Sequence, residues 1–155
     1  MILEQVSLFK YLGLWFDLKL TWAAGIDKIC SKVSQRIGIL YRTRSYINPG
    51  IANKIYKALI LPVMYYGDII WSTGVMSNMV RVQRLQNRAG RIILRCNRRT
   101  HKTDIHKSLN WLYSRNRSSL NRTLMVAKCI FKEVPTYLML YHTISFSALW
   151  GSYSI

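Results

Sequence analysis

Between Arg81 and Arg95 two series of side chains share one period. Arginines stand at 81, 84, 88, 91 and 95, and Val82, Leu85, Ala89, Ile92, Ile93 and Cys96 are interleaved with them. At about 100° per residue, this strict three-then-four alternation gathers the arginines onto one narrow stripe of an α-helix. A strand would scatter both series over both faces, because its period is two. The segment is therefore committed to a helix with one apolar and one cationic face.

The same period runs through most of the chain. After Thr21, a candidate N-cap, Ile26, Ile29, Cys30, Val33, Ile37 and Leu40 recur at three and four, which predicts an amphipathic helix. Asn48 and Pro49 then supply a cap and a first turn for a second helix. Its apolar residues are Ile51, Ile55, Ala58 and Leu59, and Pro62 should break or kink it. Residues 63–71, "VMYYGDIIW", read as a short buried continuation. Ser77 or Asn78 can cap the arginine helix, a short helix follows near Asp104–Leu109, and Ser114 can cap a last helix to about Lys132.

Only the N-terminal stretch has a different character. "VSLFKYLGLWFDLKLTW" is rich in aromatic and branched residues and is interrupted by Gly13, which predicts a hairpin near residues 6–11 and 14–18. An isolated two-stranded hairpin is marginal in water, and no third strand is signalled downstream. The sheet reads as incomplete, with its missing strands expected upstream. The expected fold is mainly α: a short hairpin in residues 1–20, a bundle of about four to five helices in 21–133, and a divergent, partly ordered tail in 134–155.

Charge narrows the partners. The 155 residues carry 23 Lys and Arg against six Asp and Glu, a net charge of +17. Twelve of those cations and one acid, Asp104, fall within 81–122. Like charges at i, i+4 cost a few tenths of a kcal/mol each, so an external polyanion is expected to compensate. The stripe would be roughly 21 Å long over about 14 residues, enough to track several phosphates. Arg81, Arg84, Arg88, Arg91 and Arg95 are the candidate nucleic-acid contacts, with Arg98, Arg99 and Lys102 extending the patch past the helix end. Few amides accompany them, which favours phosphate positioning over base reading.

Other chemistry is not signalled. The acids Glu4, Asp17, Asp27, Asp68, Asp104 and Glu133 are scattered singly, whereas two-metal nucleotidyl transfer needs clustered carboxylates. No glycine-rich phosphate loop is present. Cys96, His101 and His106 lack a fourth ligand at the spacing of a closed zinc site, so no metal or cofactor is expected in this chain. Three distant cysteines imply no disulfide framework. "ALILPVMYY" is too short to span a bilayer, and the apolar tail is interrupted by Pro135, His142 and Gly151, so no membrane role is expected. Without a signal pattern at Met1 the expected location is intracellular, nuclear and cytoplasmic, and not secreted. Trp111 and Tyr113, beside Arg115 and Arg117, could stack bases as single-strand binders do, though packing between helices is the favoured role.

Several stretches, "FKYLGLWFDLKLTW", "YINPGIANKIYKALILPVMYYGDIIW", "RVQRLQNRAGRIILRCNRRT" and "SLNWLYSRNR", together resemble reverse transcriptases of non-LTR (LINE-type, jockey-like) retrotransposons. The resemblance covers roughly residues 8–140, at the end of the polymerase palm and the helical segment after it. It implies that Phe9, Lys10, Tyr11, Leu12 and Gly13 belong to the closing palm strands near the primer end. The helices from Ala23 onward would be a thumb that grips an RNA–DNA hybrid or duplex. The catalytic aspartates and their Mg ions would lie upstream, with the palm and fingers as partners, so this chain alone is expected to be an inactive piece of an RNA-directed DNA polymerase. The uncharged tail departs from the family pattern. The alternatives are a stand-alone, non-specific nucleic-acid-binding protein and a decayed retrotransposon relic without activity.

Overall fold

The computed structural model describes residues 6–131. The first two elements are the strands β1 (Leu8–Tyr11) and β2 (Leu14–Asp17), paired antiparallel with Phe9 opposite Phe16 and Lys10 opposite Trp15. Leu12 and Gly13 form the two-residue loop, with φ of 45° and 83°. Positive φ at both loop positions matches the twist of a tight hairpin. Tyr66 fixes this loop by donating its hydroxyl proton to the Leu12 carbonyl at 2.7 Å.

Helices make up the rest: α1 (Ala23–Thr43), α2 (Pro49–Ile55), a π-turn (Tyr56–Ile60), α3 (Leu61–Met64), α4 (Asp68–Trp71), α5 (Met76–Leu94), α6 (Lys102–Leu109) and α7 (Ser114–Ile130). Because α2, the π-turn and α3 run on without leaving helical backbone angles, these are six helical stretches. The expected architecture of hairpin and helical body is present. The chain divides into two compact units, Met1–Ser118 and Ser119–Ile155. In the second, residues 119–130 complete α7, where Thr123 returns its hydroxyl to the Ser119 carbonyl. The expected tail, 134–155, lies outside the described residues.

The core of the first unit forms where α1 packs on α5. Ile26, Val33, Ile37 and Leu40 from α1 meet Val82, Ala89, Ile92 and Ile93 from α5, with Tyr56, Ile60, Met64 and Trp71 filling the side and Ile105 and Trp111 the far end. On α1 and α5 the buried positions are those that the three-and-four spacing selects.

Local details depart from the sequence reading in four places. Thr21 is not the N-cap of α1; that position is Trp22, in the left-handed region at φ 64°. Thr21 lies one residue earlier, held by the Asp17 carboxylate, which accepts from both its amide and its hydroxyl at 2.6 Å. Neither Ser77 nor Asn78 caps α5: Val75 holds that position, and buried Asn78 donates instead to the Thr21 carbonyl. Asn48, by contrast, caps α2 as expected, accepting from Ile51 N at 2.8 Å.

The second helix does not break at Pro62. It widens just before the proline, where Leu61 N–H reaches back to the Tyr56 carbonyl in a five-residue step. A π-turn absorbs one extra residue, so the missing Pro62 donor falls where the helical ladder is already interrupted. The buried face is correspondingly Ala52, Tyr56, Ile60 and Met64, while Ile51 and Leu59 are exposed. Ser114 opens α7 but serves as a buried relay. It receives the Tyr65 hydroxyl proton at 2.9 Å and donates to Gln86 Oε1 at 3.0 Å. Its own amide is satisfied by Gln83 Oε1 of α5 at 2.7 Å. Burial pushes the Tyr65 phenol up to about 12, which keeps it a donor in this chain of bonds.

Candidate nucleic-acid interface

The five arginines of α5 lie on one side of the helix, as their spacing requires, but the fold gives them different partners. Arg81, at the N-terminal end, forms an ion pair with Asp27 of α1. The hydrogen bond to that carboxylate raises the guanidinium pKa further. Arg95, at the other end, is the C-cap of α5 in the left-handed region. Its guanidinium donates to the Arg44 carbonyl at 2.6 Å and the Ile47 carbonyl at 2.9 Å. Those carbonyls follow the C-terminus of α1, where a cation opposes the negative end of the helix dipole. Arg91 is half-buried and donates to the Thr100 carbonyl at 3.4 Å, while its Nε is buried without an acceptor. Arg84 and Arg88 are exposed.

Three of the candidates converge. Arg88, Arg91 and Arg98 line a groove of about 650 Å³ with Tyr41, Arg44, Ile92 and Cys96. Arg44 sits over the Tyr41 ring, its guanidinium carbon 4.1 Å from the ring centre, a geometry that holds a cation without neutralising it. A second groove of about 520 Å³ adjoins it, shared through Arg44 and Cys96 and lined also by Ser45, Arg95 and Asn97. Among the described residues no acid lines either groove. Arg99 and Lys102 are exposed beyond the end of α5 and line neither.

Tyr41 and Arg44 were missed by the sequence reading, which confined the patch to 81–102. They come from the end of α1 and reach the groove because α1 packs along α5. The run of basic residues at Arg36, Arg42 and Arg44 was the available signal, but nothing local says that it folds beside Arg88.

The remaining candidates have structural partners. Trp111 is buried, stacked on Tyr56 with ring centres 4.1 Å apart, and its indole donates to Asn53 Oδ1 at 3.0 Å. It is a packing residue and cannot stack a base without leaving the core. Tyr113 is half-buried and stacks on His106 at 4.3 Å. His106 is itself buried between Asn87 Oδ1, at 2.9 Å from Nε2, and the Trp111 carbonyl, at 3.3 Å from Nδ1. Burial holds its pKa below the usual histidine value. His101 accepts at the start of α6 from Thr103 N. Among the described residues no group of three His, Cys, Asp or Glu side chains could hold a metal ion. Nor is any described helix long and apolar enough to cross a membrane.

On the hairpin, Phe9 and Tyr11 are exposed, with ring centres 6.4 Å apart. Lys10 turns to the other face and lies over Trp15, 5.8 Å from the ring centre. None of residues 9–13 lines the arginine grooves.

What fold and grooves define is a basic helical module that carries a two-stranded hairpin on its N-terminal side. Its relatives are polymerases of mobile elements. Over 112 residues, 70% of its length, the chain is 33% identical to a probable RNA-directed DNA polymerase from transposon BS of Drosophila melanogaster. It is 29% identical over 108 residues to the probable RNA-directed DNA polymerase from transposon X-element of the same fly. It is also 29% identical over 89 residues to the RNA-directed DNA polymerase from mobile element jockey. Over 55–70% of its length the chain is thus homologous to RNA-directed DNA polymerases of non-LTR retrotransposons. It spans 10–12% of the length of these relatives. No family model matches the chain, and no solved structure matches it.

Proposed function

We propose that the chain is the duplex-gripping, thumb-like part of a reverse transcriptase, which holds the template–primer hybrid through its phosphates and does not itself carry the catalytic carboxylates. The observation that carries this reading is the groove in which Arg44, Arg88, Arg91 and Arg98 converge with no acid among its described lining residues. Four guanidiniums without a carboxylate form a fixed set of forked donors, and such forks match phosphate oxygens bidentately. A near-A-form hybrid is recognised through its shape, phosphates and 2′-hydroxyls. Phosphate contact of this kind tolerates any sequence, as a polymerase must while the duplex advances. Exposed Arg84, Arg99 and Lys102 extend the cationic surface on either side, whereas Arg81 is paired with Asp27 and Arg95 holds the end of α1. The acids within the described residues are Asp17, Asp27, Asp68 and Asp104. They form no cluster that would hold a metal ion.

The test is a titration of fluorescent RNA–DNA hybrids of three unrelated sequences, followed by anisotropy at low salt. The reading expects similar affinities for all three and a several-fold loss for Arg88→Gln with Arg98→Gln. Strong preference for one sequence, or full affinity in the double variant, would contradict it.

A further inference from the structure

A second cavity lies on a different part of the first unit. It has a volume of about 350 Å³, opens between the hairpin and α1, and has an apolar floor that includes Trp15, Ile29, Val63 and Trp71. Its rim carries Lys10, Lys28, Lys32 and Arg36, and among the described residues no acid lines it. Lys28, Lys32 and Arg36 follow one another at i, i+4 and i+8 along α1, the spacing that stacks like charges on a single helix face at a cost to the helix. Lys10 and Lys28 flank the same indole, each with its ammonium 5.8 Å from the Trp15 ring centre. Arg36 is anchored by its guanidinium on the Leu59 carbonyl, which holds it in place and leaves its charge uncompensated. The ion pair that α1 makes among the described residues, Asp27 with Arg81, lies outside this lining.

Two ammoniums on one ring, in line with two further cations beside an apolar floor, form an arrangement that an anion would complete. We propose that this cleft is a binding site for a small amphipathic organic anion, with an aromatic or aliphatic body on the Trp15–Val63 floor and a phosphate, sulfonate or carboxylate head among Lys28, Lys32 and Arg36. The volume falls at the lower end of ordinary ligand pockets, which are mostly apolar with a few fixed polar groups. It limits the body to about one or two fused rings. A duplex is too wide to enter such a cleft, and the arginines of the α5 groove line a separate one. The site therefore stands independently of the proposed grip on nucleic acid.

The probe is 8-anilinonaphthalene-1-sulfonate, compared with uncharged N-phenyl-1-naphthylamine, titrated by fluorescence into the full chain. Saturable one-to-one binding of the sulfonate is expected. Lys28→Gln with Lys32→Gln should weaken it at least about ten-fold and leave binding of the uncharged probe and the circular dichroism unchanged. Val63→Phe, which fills the floor, should weaken both probes. A saturating hybrid duplex should leave the sulfonate bound. Equal sulfonate affinity in the Lys28/Lys32 variant, non-saturating binding, or displacement by the duplex would each overturn the assignment.

Discussion

Gly90 of α5 lies directly beneath Ile105 of α6: a Cβ built on Gly90 would overlap the Cγ2 methyl of Ile105 and touch Leu109 and Trp111 at 3.4 Å. Both residues are buried, and the isoleucine is stiff about its first torsion. The glycine is thus what lets α6 approach α5 and turn the chain between Arg95 and Lys102. Gly90→Ala should gain about 1 kcal/mol of helix propensity and lose about 1–3 kcal/mol to overpacking. Because the overlap is with a fully buried branched side chain, the net effect should be destabilising. A lower urea midpoint for the variant would agree, and a raised midpoint would not.

The arginine stripe should divide by experiment as it does by partner. Arg95 holds two carbonyls at the end of α1, and Arg88 holds none among the described residues. Arg95→Ala should therefore cost about 1 kcal/mol or more of folding stability, the net worth of hydrogen bonds from a charged donor at a helix end. Arg88→Ala should leave stability within about 0.5 kcal/mol and act on binding instead. Chemical denaturation of the two variants side by side checks the division.

Asp27 is the acid that engages the stripe, and its pair with Arg81 is exposed, with the two side chains 60% and 40% accessible. Exposed pairs are worth about 0–1 kcal/mol. Asp27→Asn should accordingly change stability little. It should also tighten nucleic-acid binding, because one negative charge is removed and Arg81 is released toward solvent. An unchanged or weakened affinity in the variant would place Arg81 outside the interface.

His106 should give the fold an acid-side sensitivity. Burial lowers its folded pKa below the ordinary 6.5, so the unfolded chain binds the proton more readily. The stabilisation is then fully present above the unfolded value of about 6.5 and is lost as pH falls through the folded pKa. Thermal melts from pH 8 to 5 should show a decline that His106→Gln flattens. A variant that melts with an unaltered pH profile would exclude the histidine as the cause.

The helical body was legible because it rests on local periodicity. Ile26, Val33, Ile37 and Leu40 on α1 and Val82, Ala89, Ile92 and Ile93 on α5 are buried as their spacing indicates. The hairpin around Gly13 and the Asn48–Pro49 start are likewise legible locally, whereas the burial of Gln86 and Gly90 in place of Leu85 is not. What was not legible depends on partners distant in the chain. A charge pattern cannot reveal that Asp27 takes Arg81 or that the end of α1 takes Arg95, since those partners are 54 and 48–51 residues away. The π-turn before Pro62 hid for a similar reason. The proline announces a disturbance, but only packing decides whether the chain bends after it or widens before it, and the buried residues there are Tyr56 and Ile60, with Ala58 and Leu59 exposed. Arg44 and Tyr41 joined the candidate interface by tertiary proximity.

The central claim is that Arg44, Arg88 and Arg98 contact phosphates, and the salt dependence of binding tests it most directly. Affinity of the full chain for an RNA–DNA hybrid would be measured between about 50 and 200 mM salt, for the parent and for the triple variant Arg44→Gln, Arg88→Gln, Arg98→Gln. Each lost phosphate contact lowers the slope of log affinity against log salt by about 1, so the variant should lose a slope of about 3 while remaining folded. An unchanged slope, or a parent protein whose binding does not respond to salt, would contradict the phosphate grip.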